Sequence, residues 1–183
     1  MTQTYIHVCT EADAEDLRAV SFQTFEEAFK EASEPNNYAV YVKKAFTPEV
    51  ITAELNTPTN AFFFLKQRAT NDIIGYLKLR WDRSEEFFPD IRALELQRIY
   101  IKKNYWQQGY GKILLDFAEH YAHLHAYKRI WLVVWFKNEN AVRFYEREGW
   151  ETFAQKDFPF GNEIHHDFVM RKLIDKASVP VVG

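Results

Sequence analysis

Three parts of the sequence combine residue types and spacings suited to chemistry. The stretch Trp106-Gln107-Gln108-Gly109-Tyr110-Gly111-Lys112 puts two glycines at the mouth of a helical pattern. A helix N-terminus offers unpaired N–H groups and partial positive charge, which suit a phosphate. The glycines let the backbone come close to a pyrophosphate, although the same pattern also serves as a plain tight strand-to-helix connection. Tyr145 carries a phenol with an ordinary pKa of about 10, so it stays protonated at neutral pH and can donate. It shares an apolar helix face with Ala141 and Phe144, which equally suits a core aromatic. Glu95 lies in the strand pattern Leu94–Ile101, and alternation predicts Glu95, Gln97, Ile99 and Ile101 on one face. A strand carboxylate there can be ion-paired, solvated or a substrate anchor. Lys102, Lys103 and Lys112 lie near the glycines, where they pair with phosphates or stay in solvent.

Positioning these groups requires an ordered set of elements. Tyr5 to Cys9 reads as a short strand, and Thr10 with Asp13 resembles a capping box opening a helix that runs to about Lys30. Glu34-Pro35-Asn36-Asn37 reads as a break, followed by a helical pattern from Tyr38 to Phe46. Thr47-Pro48-Glu49 starts another helix, which ends near Leu55. Ala61–Lys66, Ile73–Trp81 and Ala93–Lys102 read as strands, with a turn around Thr70-Asn71-Asp72 and a charged loop over 83–89. A helix from Gly109 to about His125, a strand Arg129–Phe136 and a helix Asn138–Glu148 stopped by Gly149 follow. Trp150–Phe158 and His166–Lys172 complete the strands, and the tail 178–183 reads as frayed. This order predicts an α/β architecture: a mixed, mostly antiparallel central sheet with helices on both faces.

Composition bounds the function. At 183 residues, with 47% apolar residues, the chain suits one domain over 1–183 with its core at about 4–174. A net charge of −3 argues against a nucleic-acid partner. The lone Cys9 reads as a small apolar residue and fits a reducing compartment. No signal-like start or membrane-length apolar run is present, so a cytoplasmic location is expected. His120, His123 and His125 cluster at a helix end, but Asp116–His120 and Glu119–His123 at i, i+4 read as surface pairs, so no metal is expected. His165 and His166 point to opposite faces of a strand.

The glycine stretch is followed by a second unit: Trp131-Leu132-Val133-Val134-Trp135, then Asn138-Glu139-Asn140-Ala141-Val142-Arg143-Phe144-Tyr145, closing on Gly149-Trp150. Together the two units strongly resemble the GNAT superfamily of N-acetyltransferases over about Leu17 to Leu173. The resemblance implies acetyl-CoA as cosubstrate and a GNAT fold. The backbone of Ile99, Tyr100 and Ile101 would hold the pantetheine arm like an added strand. The N–H groups of Gln107, Gln108, Gly109, Tyr110, Gly111 and Lys112 would hold the pyrophosphate. Asn138 would contact the pantetheine side, and Tyr145 would protonate the departing thiolate. The spacing of Glu95 from the glycines matches a catalytic glutamate of several such enzymes, implying a base acting through water. Where the superfamily usually has Gln or Arg, this chain has Trp106.

A narrower resemblance is to PaiA-type spermidine/spermine acetyltransferases. It is carried by Phe22–Phe29, Ala45–Glu49, Gly75-Tyr76-Leu77-Lys78, Leu94–Lys102 and Trp135–Ala141. Those relatives often have glutamate at the position of Gln97, and a more acidic segment over 161–167. The resemblance implies a small-molecule amine acceptor, a polyamine, attacked directly in a ternary complex, and is compatible with a homodimer. Gln97, Phe25 and Phe29 are the candidate acceptor contacts, the two phenylalanines also suiting plain core. Peptide or protein N-terminal amines, or a non-catalytic acyl-CoA sensor, are the alternatives.

Overall fold

The computed structural model describes residues 3–81, 87–89, 91–160 and 163–174. Most of the 83–89 loop and the whole 178–183 tail lie outside the described residues. Seven strands form one sheet: β1 (Thr4–Val8), β2 (Asn60–Gln67), β3 (Ile73–Arg80), β4 (Ala93–Ile101), β5 (Arg129–Val134), β6 (Glu151–Phe160) and β7 (Glu163–Leu173). Their order is β1-β2-β3-β4-β5-β7-β6. Every pairing is antiparallel except β4 with β5. The helices are α1 (Ala14–Phe29), α2 (Pro35–Ala45), α3 (Pro48–Leu55), α4 (Tyr110–Leu124) and α5 (Glu139–Arg147). The expected mixed α/β sheet with helices on both faces is what forms.

Apolar surface decides the layers. Leu114, Leu115, Ala118 and Ala122 of α4 pack with Leu77, Leu94, Leu96 and Leu132 on one sheet face. Leu17 and Val20 of α1 and Ile51 of α3 pack on Phe62, Phe64 and Tyr76 of the other. No described helix is long and apolar enough to cross a membrane.

Several boundaries differ from expectation. The Glu34-Pro35 break is instead a helix start: Glu34 accepts the Asn37 backbone N–H at 2.8 Å, and Pro35 occupies the first turn of α2. Proline belongs there because that N–H would have no intrahelical partner anyway. β7 begins at Glu163 rather than at His166, since the hairpin with β6 pairs as far as Phe160 opposite Glu163. The expected surface pairs on α4 do not form. Asp116 meets Lys112 at 2.8 Å, and Glu119 is buried. Glu119 accepts the Trp150 indole at 3.0 Å and the Lys172 ammonium at 2.8 Å through both oxygens. A buried carboxylate requires such compensation, so Glu119 belongs to the inner face of α4.

Gly75 sets the spacing of β3 and β4. A Cβ at this position would lie 2.3 Å from the Tyr100 carbonyl oxygen and 3.0 Å from the Ile101 Cα. Backbone cannot yield as a side chain does, so β4 would have to move. Gly75→Ala is expected to cost about 1–3 kcal/mol and to weaken CoA binding, because Tyr100 and Ile101 line the large cleft. Denaturation and CoA calorimetry on this variant check both; wild-type values in each would remove the close approach as a constraint.

Candidate active site

The sheet opens at its single parallel pair. β4 and β5 are in register only from Ala93 to Glu95 against Arg129 to Trp131. Beyond that point they separate. The cause lies in β4, where Lys78 and Leu79 of β3 face Arg98 and Leu96, so Gln97 is an extra residue. This β-bulge bends the strand and interrupts its alternation. The expected shared face of Glu95, Gln97, Ile99 and Ile101 is therefore corrected. Ile99 and Ile101 pack into the core beside α4, on the side of Leu94 and Leu96. Glu95, Arg98 and Tyr100 instead line a cavity on the opposite face.

A cleft of about 740 Å³ fills the gap between the splayed strands. Leu96 to Ile101, Leu132 to Trp135, Trp106, Gln107, Asn138 and Tyr145 line it. Gln107 (φ 60°) and Gly109 (φ 84°) are both in the left-handed region, turning the chain into α4 with Gly109 as its N-cap. The first N–H groups of a helix have no intrahelical acceptor. Lys112 is the exception to the expected donor run: its N–H donates to the Gly109 carbonyl at 3.1 Å. Its ammonium is also engaged, with Asp116 at 2.8 Å and Glu148 at 3.0 Å. Trp106 donates its indole N–H to the Ile101 carbonyl at 2.6 Å, so that carbonyl is already partnered on the cleft edge. Asn138 caps α5 by accepting the Ala141 N–H at 3.1 Å. Tyr145 is 6% exposed, packed against Phe144 and Trp150. Burial pushes its phenol above the ordinary value, so it remains a proton donor across the neutral range.

A second cavity of about 440 Å³ lies on the α1–α2 side. Phe25 and Phe29, 4.7 Å apart between ring centres, form part of its wall. Phe29 also meets Tyr100 and Trp135 edge-on. Gln97, Arg98, Tyr100, Phe29, Val133 and Trp135 line both cavities, so the two spaces meet there. The buried Gln97 Oε1 has no hydrogen-bond partner among the described residues. Glu95 is 5% exposed and accepts from Arg80 Nε at 2.7 Å. His165 stacks on Trp135 with ring centres 5.8 Å apart, while His166 turns outward to Asp157 at 2.6 Å. Among the described residues no group of three or more His, Cys, Asp or Glu side chains assembles as a metal site.

Among the residues of this cavity that were not singled out from the sequence are Tyr41, Arg98 and Asp167. Asp167 left a usable signal. It alternates with the buried Val169 and so falls on the inward face of β7, where an acid needs a reason. Arg98 left none, because it faces this cavity only through the bulge.

A strand splayed from its parallel neighbour, a glycine-opened helix N-terminus and a buried phenol in one cleft define an acyl-CoA transferase architecture. The acetyltransferase (GNAT) family model matches residues 17–150, and the chain belongs to that family. It is an acetyl-CoA-dependent acetyltransferase. It is 33% identical to an uncharacterized N-acetyltransferase of Lactobacillus delbrueckii subsp. lactis, over 95% of this chain and 99% of that one. It is 36% identical to the spermine/spermidine N(1)-acetyltransferase of Bacillus subtilis, over 34% of this chain and 42% of that protein. The fold matches the PaiA N-acetyltransferase of Thermoplasma acidophilum, solved with coenzyme A, at a TM-score of 0.73. That match has 21% identity and covers 94% of this chain and 99% of that one.

Proposed function

We propose that the protein acetylates a primary amine of a polyamine such as spermidine or spermine, by direct attack on acetyl-CoA in a ternary complex. The observation that carries this reading is the meeting of two cavities at Gln97, Tyr100 and Trp135. The cleft with Tyr145 suits the thioester; the cavity with Glu95 and Asp167, in which the Arg80 and Arg98 guanidinium groups are engaged by Glu95 and Glu54, suits a cation with apolar links between its charges. The partial match to the B. subtilis polyamine enzyme supports the same substrate class.

The steps follow from the groups present. CoA in the cleft would place its pyrophosphate at the N-terminus of α4 and its pantetheine along Ile99–Ile101. The amine, cationic at neutral pH, gives up a proton through Glu95, held in place by Arg80. The free amine attacks the acetyl carbon, the C–S bond breaks with the thiolate taking the Tyr145 proton, and the nitrogen's surplus proton restores the phenol.

The test is CoA thiol release across spermidine, spermine, simple diamines, amino acids and short peptides. Saturable release with spermidine or spermine is expected. Turnover of amino acids or peptides alone would overturn the polyamine assignment. Glu95→Gln is expected to lower kcat/KM roughly tenfold to a hundredfold at pH 7. The deficit should shrink toward pH 10, where primary amines lose their proton unaided. A deficit independent of pH would remove Glu95 as the base.

A further inference from the structure

Asp167 is 6% exposed and lines the smaller cavity. Its Oδ1 is buried with no hydrogen-bond partner among the described residues. Other carboxylates of the cavity are compensated. Glu95 has Arg80 at 2.7 Å, and Asp157 has His166 at 2.6 Å. The cavity's guanidinium at Arg98 is held by Glu54 through two bonds, at 2.7 and 3.0 Å. A buried carboxylate with an open oxygen is costly unless a cation completes it. The surrounding titratable groups do not supply one by contact: Lys156, opposite Asp167 in the β6–β7 ladder, holds its ammonium over the Phe87 ring at 5.5 Å, His165 sits at Glu163 (3.1 Å) and His166 at Asp157.

Position narrows what the missing cation is. Asp167 lines the acceptor cavity but not the cofactor cleft, whereas the reacting nitrogen must lie where the two meet. Opposite strand residues of β5 and β7 run in register to Val134 and Phe168, which places Asp167 one step past the end of the ladder, beside Trp135. Trp135 and Phe160 supply apolar walls around it for the links between charges.

We propose that Asp167 is a specificity-determining anchor that pairs with a second ammonium of the acceptor, one that is not acetylated. This rests on the amine-acetyltransferase reading above and deepens it: the substrate class becomes amines with at least two positive charges. Desolvation works to raise the Asp167 carboxyl, with the Phe136 N–H and His165 opposing, which agrees with a carboxylate lacking its partner.

The test compares wild type with Asp167→Asn, which keeps the side-chain volume and removes the charge. The expected result is a rise of about 20-fold or more in KM for spermidine. Spermidine kcat and the dissociation constant of CoA should stay within about threefold. With phenethylamine, a monoamine, the KM of the two proteins should agree. Asp157→Asn, on the same cavity but exposed and paired to His166, should leave spermidine KM within about threefold. Removing an uncompensated buried charge should also leave the apo variant at least as stable as wild type, with the margin growing as pH rises through the carboxyl range. An unchanged spermidine KM with wild-type turnover intact would overturn the anchor and leave the polyamine reading standing. Equal losses with spermidine and phenethylamine, or a less stable variant, would show a structural role and overturn it too. Wild-type turnover of phenethylamine without any diamine or polyamine would overturn both. Without turnover of any amine, spermidine calorimetry on the CoA complex decides: binding lost in D167N supports the anchor, and no wild-type binding sinks it.

Discussion

Replacing Tyr145 with phenylalanine is expected to lower kcat by on the order of 10²- to 10³-fold, with the dissociation constant of acetyl-CoA within about threefold. The motive is the placement of the buried Tyr145 phenol on the wall of the cleft. The substitution removes one oxygen and keeps the ring that packs on Phe144 and Trp150, so packing loss cannot account for a large change. The buried phenol stays protonated well above neutral pH, because desolvation disfavours its anion. In wild type the proton therefore remains available on the alkaline side, where the amine is most reactive. Stopped-flow or steady-state thiol release with the best acceptor measures the effect. An outcome within about threefold of wild type would remove Tyr145 as the acid and make it a core residue of the cleft. Parallel losses in kcat and in acetyl-CoA affinity would make it a binding residue instead.

The largest stability effect should come from Glu54 on α3. Its carboxylate meets Lys78 Nζ of β3 at 2.8 Å and two nitrogens of Arg98 on β4, at 2.7 and 3.0 Å. The Lys78 side chain is 2% exposed and that of Arg98 18%. One acid thus compensates one buried and one largely buried cation beside the smaller cavity. Glu54→Ala leaves both without it, and breaking a buried pair of this kind costs about 3–5 kcal/mol. Glu54→Gln, which keeps the volume, should lose a comparable amount if charge is the cause. Urea denaturation at pH 7 measures both; a loss under about 1 kcal/mol would mean that solvent reaches the triad.

The pH dependence has a definite sign. Burial works to raise the Glu54 carboxyl, but Arg98 and Lys78 outweigh it and hold it below its ordinary value. Its contribution is therefore present above the unfolded carboxyl value, about 4.3, and is lost as pH falls through the lower folded value. Burial, with Arg98, pulls the Lys78 ammonium down to about 8 against the opposing pull of Glu54. The cost of its charge is full below about 8 and is relieved as pH rises toward the unfolded value, about 10.4. Without Glu54 the lysine sheds its proton more readily, so the deficit of Glu54→Ala should be smaller at pH 9.5 than at pH 7.

Local patterns in the chain were enough to identify much of this architecture. The continuous apolar runs Phe62–Leu65 and Trp131–Val134, the caps at Thr47 and Asn138, and the glycine at α4 are short-range signals. Each reflects backbone preferences acting over a few residues, so no partner strand is needed to read them. The glycine stretch and the unit from Trp131 to Trp150 marked the cofactor side for the same reason.

The smaller cavity depended on contacts that no local pattern contains. Alternation fails in β4 because the bulge at Gln97 exists only against β3, and it turns Ile99 inward and Arg98 toward the cavity. Glu119 looked like a surface acid until Lys172 and Trp150 arrived from segments far along the chain. Alternation sets Asp167 on the inward face of β7, but that one of its oxygens lacks a donor shows only once the strands are packed. The sequence carries the chemical inventory and the local geometry of each element. The splay of β4 from β5, and the choice of which charges are compensated within it, arise from pairing across the sheet, where desolvation and long-range contacts set the energies.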